Sequence, residues 1–300
     1  MFTKKSEILF IGAGKVAHTL IPLLLEHKYS VKGVVSRNLK SAKSLAKKYK
    51  ISFYSNSIAD IARSFRIFFL TVPDGAIFNI AEKLANLDLL IKDSLFVHTS
   101  GSENSSALDP LEGKGAAAAS FHIMQTFPSL KKAEVKNSVT AIETASPQAE
   151  RFLFSLARTL GLKGIKLSKE EKVYYHLAGV YTANFMNANF YSSEKLLARA
   201  GLINKGHYEL FGPIISATLS NIRKYGIEKS LSGPVERGDF VTIKKHIDAL
   251  RKLRIEEKKL LLYSYLSQSL LLLEIVKMQK RLTPGHLELK KILEEEIKEI

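Results

Sequence analysis

The sequence predicts a doubly wound α/β domain with a mostly parallel sheet, followed by an all-helical domain. Three observations carry that prediction. Apolar runs alternate with segments of helical period from residue 7 to about 168, the first run breaks into two glycines one residue apart, and the strand pattern stops after Lys169. Runs rich in Val, Ile, Phe and Leu that are separated by helices read as strands covered on both faces, which is how a parallel sheet is written.

The elements follow in order. "EILFIG" is the first strand and 15 to 28 a helix; "SVKGVVS" is the second strand and 39 to 49 a helix; "FRIFFLTVP" is a strand, 75 to 86 a helix, and "SLFVHTS" a strand. "AAAASFHI" and "SVTAIETA" extend the sheet, a helix runs from Pro147 to Leu160, and "GIKLS" is a last strand. From Lys169, "KEEKVYYHLAGVYTANFMNANFYSSEKLLARAG" is one long helical pattern closed by Gly201, and three or four helices follow. The domains expected are therefore 1–168 and 169–300, with no flexible linker. The greasiest stretch, 260 to 280, holds Ser264, Ser267, Gln268, Ser269 and Glu274 within the span a membrane helix needs, so it reads as a buried helix.

Composition narrows the class. The chain has 300 residues, 46% hydrophobic and 25% charged, which suits a globular protein of one large or two medium domains. It has no cysteine, which excludes a disulfide scaffold, a thiolate nucleophile and a cysteine-ligated metal, and makes a reducing cytoplasm the default. The apolar segment near Met1 is too short for a signal peptide and runs straight into the glycine turn. A net charge of +16 raises the question of nucleic acid, but residues 1–168 hold 23 Lys+Arg against 13 Asp+Glu and residues 169–300 hold 22 against 16. Neither half is a basic tail, and a solvated surface is the plainer reading. One basic run stands out, with eight cations and no acid from Lys28 to Lys50.

Gly12-Ala13-Gly14-Lys15-Val16-Ala17 follows the first strand and opens the first helix, which is the context of a dinucleotide fingerprint. Gly12 allows the tight turn, Gly14 lets backbone approach a pyrophosphate, Ala17 keeps helix and strand close, and the helix N-terminus offers free N–H groups. At the end of the second strand an NAD site places a carboxylate on the ribose, whereas here stand Ser36, Arg37 and Asn38. Ser36 and Arg37 suit a 2′-phosphate, so NADP is the cofactor expected, with Lys40 and Lys43 as helpers. Three more motifs end strands at the same sheet edge: Val72-Pro73-Asp74, His98-Thr99-Ser100-Gly101-Ser102, and "SFHIMQTF" from Ser120 to Phe127. Val72 and Pro73 would border the nicotinamide ribose; Thr99, Ser100 and Gly101 offer hydroxyls and backbone N–H groups to a ligand.

"GAGKVA", "VVSRN", "VPD", "HTSGS", "SFHIMQTF", "KVYYHLAGVYTANF" and "SGPVERGD", in this order, resemble a family that pairs a Rossmann-like NADP-binding domain with a helical domain of uncharacterised function. That helical domain is similar to the C-terminal domain of 6-phosphogluconate dehydrogenase. Ketopantoate reductase, prephenate dehydrogenase and pyrroline-5-carboxylate reductase are more distant relatives. Ile123 departs from the family pattern, which has proline after the histidine. The resemblance implies an NADP-dependent oxidoreductase acting on a small-molecule substrate, and a homodimer formed through the helical domain.

In the distant relatives a Lys or His on the first long helix after the Rossmann domain serves the reacting carbonyl, often with an Asn nearby. Here that helix carries Lys172, His176, Asn184 and Asn187. Lys172 and His176 share a face, while on an ideal helix Asn187 lies about 60° and Asn184 about 120° from Lys172. Lys172 is expected to stabilise charge or donate a proton, with His176 as its partner or the alternate acid, and Asn184 to orient the substrate oxygen. Read structurally instead, a lysine in "SKEEK" is a first-turn surface residue. His122 is expected to bind a substrate carboxylate or to order the cleft with Gln125. In "LSGPVERGD", Asp239 reads first as a helix cap, with Arg237 the alternative carboxylate ligand. His18, His27, His207 and His246 show no ligand spacing, and no metal is expected.

The reaction expected is hydride transfer between NADPH and a small carbonyl acid, with a ketopantoate-like 2-oxo acid in first place. The alternative is a nonenzymatic NADP(H)-binding regulator. A nucleic-acid binder would leave the glycine turn and the strand-end motifs unexplained, and no membrane partner is expected.

Overall fold

The computed structural model describes residues 1–87, 91–202 and 207–299. In chain order the elements are β1 (Ile8–Ile11), α1 (Lys15–Glu26), β2 (Val31–Val35), α2 (Leu39–Tyr49), β3 (Phe53–Ser55), β4 (Ile67–Leu70), α3 (Ile77–Ala85), β5 (Leu95–His98), α4 (Asp109–Glu112), β6 (Ala117–Ile123), β7 (Val139–Glu143), α5 (Pro147–Thr159), β8 (Lys163–Lys166) and α6 (Glu171–Gly179). A π-helical turn at Val180–Asn184 leads into α7 (Phe185–Arg199). After it come α8 (His207–Ser230), α9 (Pro234–Arg237), α10 (Phe240–Arg251), α11 (Lys258–Met278) and α12 (Pro284–Lys298).

Among the described residues one eight-stranded sheet forms, in the order β3-β2-β1-β4-β5-β6-β7-β8. Every pairing is parallel except β6 with β7. β1, β4 and β5 are buried along their whole length, as continuous apolar strands under helices on both faces must be. Cross-strand rings fix the register: Phe68 stacks on Phe96 at 4.3 Å and Phe10 on Phe69 at 5.2 Å, each pair directly opposed. One face buries Phe10, Val34, Val97, Phe121 and Ile142, and the other Leu9, Val35, Phe68, Phe96 and Ala118. The doubly wound prediction is the observed fold, and β3 is the strand it lacked. Three residues of Phe-Tyr-Ser at the sheet margin make no apolar run.

The chain divides into two compact units, Met1–Met186 and Asn187–Ile300. The division expected from the sequence, at 168, marks the end of the sheet; α6 and the π turn belong to the first unit. The single long helix expected from Lys169 runs from Glu171 to Arg199, with its winding widened at that turn. It does end at Gly201, which takes φ of +76° while the Leu202 N–H donates to the Leu197 carbonyl at 3.0 Å. In the second unit α10, α11 and α12 share a core of Ile243, Ile247, Leu266, Leu289 and Leu293. α11 is the one helix, among the described residues, long and apolar enough to cross a membrane. It is not buried all round as the sequence suggested: Leu261, Leu262, Leu266, Leu273 and Val276 face inward, whereas Leu260, Tyr263 and Leu271 are exposed.

Candidate functional site

At the carboxyl edge of the sheet lies a cleft of about 700 Å³, lined by Gly12, Ala13 and Gly14, by Ser36, Arg37 and Ser41, and by Val72 and Pro73. Gly12 takes φ of +110°, and a Cβ there would lie 2.3 Å from the Thr71 carbonyl oxygen, so only glycine fits. The Thr71 hydroxyl donates to the Gly12 carbonyl at 2.9 Å and the Gly12 N–H to the Val35 carbonyl at 2.7 Å, which pins the turn between β2 and β4. Gly14 precedes α1 with no side chain capping the helix and no acid in its first turn, so the N–H groups at that end stay available to an anion. These features fit a pyrophosphate-bridged dinucleotide.

Of the other residues expected at the cofactor, Ala17 is fully buried between helix and strand and Val16 packs on the core. Lys15 is exposed and absent from the lining, as are Lys40 and Lys43. Asn38 caps α2 by accepting from the Ser41 N–H at 3.2 Å. The lining also includes Asn56, Ser57 and Ile58 after β3, and Asn79, Ile80 and Lys83 on α3. Sequence reasoning missed these because neither segment carries a motif, although Lys83 is a cation one helix turn beyond Asn79.

Thr99, Ser100 and Gly101 are not in that lining. They roof a second, buried polar cluster tied to the first cleft, since Ser102 Oγ donates to Asp74 Oδ2 at 3.0 Å and the Thr99 N–H to the Leu70 carbonyl at 3.3 Å. Lys172 is 0% exposed, and its ammonium donates to the Ser100 carbonyl at 2.6 Å. The surface-residue reading of Lys172 is thereby overturned. Burial pulls its pKa down to about 8, against the raising influence of Glu143, Asp74 and Glu103.

Gly101 lies between two imidazoles: a Cβ would stand 2.3 Å from His176 Nδ1 and 2.9 Å from His122 Nε2. The two rings meet edge to face at 5.8 Å, and Tyr175 packs on His122 at 5.6 Å. Burial first, then the positive Lys172, hold His122 down to about pKa 3 and His98 down to about 4. His98 Nε2 lies 3.0 Å from the Asn104 carbonyl, which can only accept, so Nε2 carries the proton and Nδ1 is a bare, buried acceptor. Glu143, 3% exposed, accepts from the Ser105 N–H at 2.6 Å and the Ser105 hydroxyl at 2.8 Å. The sequence singled out neither Glu143 nor Ser105; the available signal was a lone carboxylate ending an apolar strand.

The structure thus brings Lys172, His176 and His122 together. Asn184 is solvent-exposed and sits in the π turn, whose wider winding removes the ideal-helix angles used to relate it to Lys172. Gln125 donates to the Glu134 carbonyl at 3.0 Å, and Asp239 caps α10 by accepting from the Thr242 N–H at 3.0 Å. Arg237 is exposed, and the turn around it is clamped by buried His286, which contacts the Glu236 carbonyl at 3.0 Å. The side chain of His207 lies outside the described residues.

Residues 7–100 match the family described as NADP oxidoreductase, coenzyme F420-dependent, and residues 138–270 match the domain of unknown function DUF2520. A Bacteroides fragilis structure described as an NADP oxidoreductase is 25% identical, with a TM-score of 0.73 over 89% of this chain and 98% of its own. A Thermotoga maritima protein structure is 26% identical, with a TM-score of 0.69 over 91% of this chain and 100% of its own. A reductive aminase from Aspergillus terreus, solved with NADPH, shares the fold at 13% identity and a TM-score of 0.58, over 98% of this chain and 94% of its own. No curated protein matches the sequence. The first match spans the glycine-turn cleft and the second runs from β7 into α11, so the chain is similar in turn to an NADP oxidoreductase domain and to a domain of unknown function, the pairing its motifs implied.

Proposed function

We propose that the protein is an NADPH-dependent reductase of a small carbonyl acid, with a ketopantoate-like 2-oxo acid as the first substrate to try. The observation that carries this is the hydrogen bond from Ser102, next to Gly101 of the lysine–histidine cluster, to Asp74, which stands between the cleft-lining Pro73 and Gly75. When bound, NADPH supplies the hydride. Gly12, Ala13 and Gly14 take its pyrophosphate, Ser36 and Arg37 its 2′-phosphate, and Val72 and Pro73 border its nicotinamide end. Lys172 is spent on the Ser100 carbonyl and has no solvent exposure, so it serves as a fixed positive charge behind the loop. His176, only partly buried, is the group positioned to give the substrate oxygen its proton, with His122 as its neighbour across Gly101. The protein works in the cytoplasm as a homodimer, and its surplus positive charge is solvated surface rather than a nucleic-acid or membrane site.

Thermal-shift titration with NADPH and NADH tests the cofactor reading, because a ligand of the folded state alone must raise the melting temperature. NADPH is expected to act at much lower concentration, and Arg37→Ala to weaken NADPH by about 10- to 100-fold while leaving NADH unchanged. Equal response of the variant to NADPH would refute the role of Arg37. Single-turnover oxidation of bound NADPH by a panel of 2-oxo acids then separates a reductase from a nonenzymatic NADP(H)-binding regulator, which would hold NADPH unreacted.

A further inference from the structure

We propose that Glu143 is a positioning residue: clamped by Ser105, it is the fixed counter-charge that keeps Lys172 an ammonium on the Ser100 carbonyl. The inference rests on the proposed role of Lys172 as the positive charge of the site. Its basis is spatial. Lys172 and Glu143 are both buried, Lys172 forms no ion pair among the described residues, and its hydrogen-bond partner is a backbone oxygen. A lysine taken out of water with only a carbonyl for company would lose its proton unless negative charge were fixed nearby. Glu143 supplies it, because both of its oxygens accept from Ser105, which holds the carboxylate in one place.

The surroundings leave Glu143 as the main source. Asp74 turns its carboxylate to the Ser102 hydroxyl, Glu103 is exposed, and His98, His122 and His176 add no negative charge. Glu143 is also the carboxylate with the largest raising influence on Lys172. Register explains how it gets there. Glu143 of β7 pairs with Ser120 of β6, which pairs with His98 of β5, so the three stand in one row beneath the loop that ends at Ser105.

The test is a titration of the intact protein labelled with lysine carrying ¹³C at Cε, in which Lys172 is assigned by the signal that Lys172→Met removes. In the native chain its midpoint is expected near 8. Glu143→Gln, isosteric and uncharged, is expected to move the midpoint down by about one pH unit, and Glu143→Asp to restore part of the shift. Ser105→Ala, which removes one donor but no charge, is expected to move it less than Glu143→Gln. An unmoved midpoint in a folded Glu143→Gln variant overturns the proposal. The readout needs no substrate, so it stands whether or not the reductase reading does. Once a substrate is found, the basic limb of the kcat/KM profile is expected to move with the midpoint while NADPH affinity holds.

Discussion

Gly101 has no space for a side chain. The two rings flanking it leave no room for a methyl group, and His176 cannot retreat without leaving the position from which it would reach a substrate. Gly101→Ala is therefore expected to cut turnover by on the order of 100-fold while NADPH still stabilises the protein against heat, since Gly101 does not line the cofactor cleft. Undiminished turnover would remove the histidine pair from the mechanism. Lys172 poses the opposite problem, a charge kept where it costs stability. Its pKa falls from 10.5 to about 8 on folding, so the unfolded chain holds the proton more tightly and the penalty at neutral pH is about 3 kcal/mol. Lys172→Met forfeits the bond to Ser100 but is expected to raise stability at pH 7 by about 1 to 3 kcal/mol in urea unfolding, while turnover collapses. Because the native penalty lifts between pH 8 and 10.5, the advantage of the variant should fade across that window. A less stable variant at pH 7 would contradict this account.

At the scale of elements, the sheet edge formed by β5, β6 and β7 is a pH-sensitive part of the fold. His98 and His122 take up protons at about 6.5 when unfolded but only at about 4 and about 3 when folded. Below 6.5 the unfolded chain binds more protons, so stability falls with pH by about 1.4 kcal/mol per unit for each histidine until its folded pKa is reached. Denaturant midpoints measured from pH 7 to 4 should show that slope, and His122→Gln should remove close to half of it; a flat native profile would mean that the rings are not buried neutral. This part of the site was half legible in the sequence. "HTSGS" and "FHIMQTF" stood out because polar residues ending apolar strands are unusual, and the glycine turn because its spacing has a mechanical reason. Glu143 was not legible, since its place in line with Ser120 and His98 depends on the antiparallel pairing of β6 with β7, which local pattern does not encode. The π turn was missed because the ideal helical period was carried straight across Val180–Asn184, where the wider winding shifts the phase.

For the molecule as a whole, the second unit has more apolar surface than its own core covers. From 209 to 230 only Gly212 is buried, and α8 exposes Ile214, Leu219, Ile222, Tyr225 and Ile227. Such a surface on a helical segment, here kinked at Gly226 with φ of +80°, is the mark of an interface, which supports the proposed homodimer. Light scattering should give twice the mass of the chain, and Leu219→Glu with Ile222→Glu should halve it; a native monomer would refute the dimer. The sheet of the first unit is different at its margins. One is β3, three residues long, and the other is β8, which places Lys163 and Lys166 along its exposed edge, Lys166 held by Glu150 at 2.7 Å. Neither offers a flat apolar template to a foreign strand. Short, lysine-bearing margins thus make strand addition to the native sheet unfavourable, so fibre growth by that route is expected to start from unfolded chains.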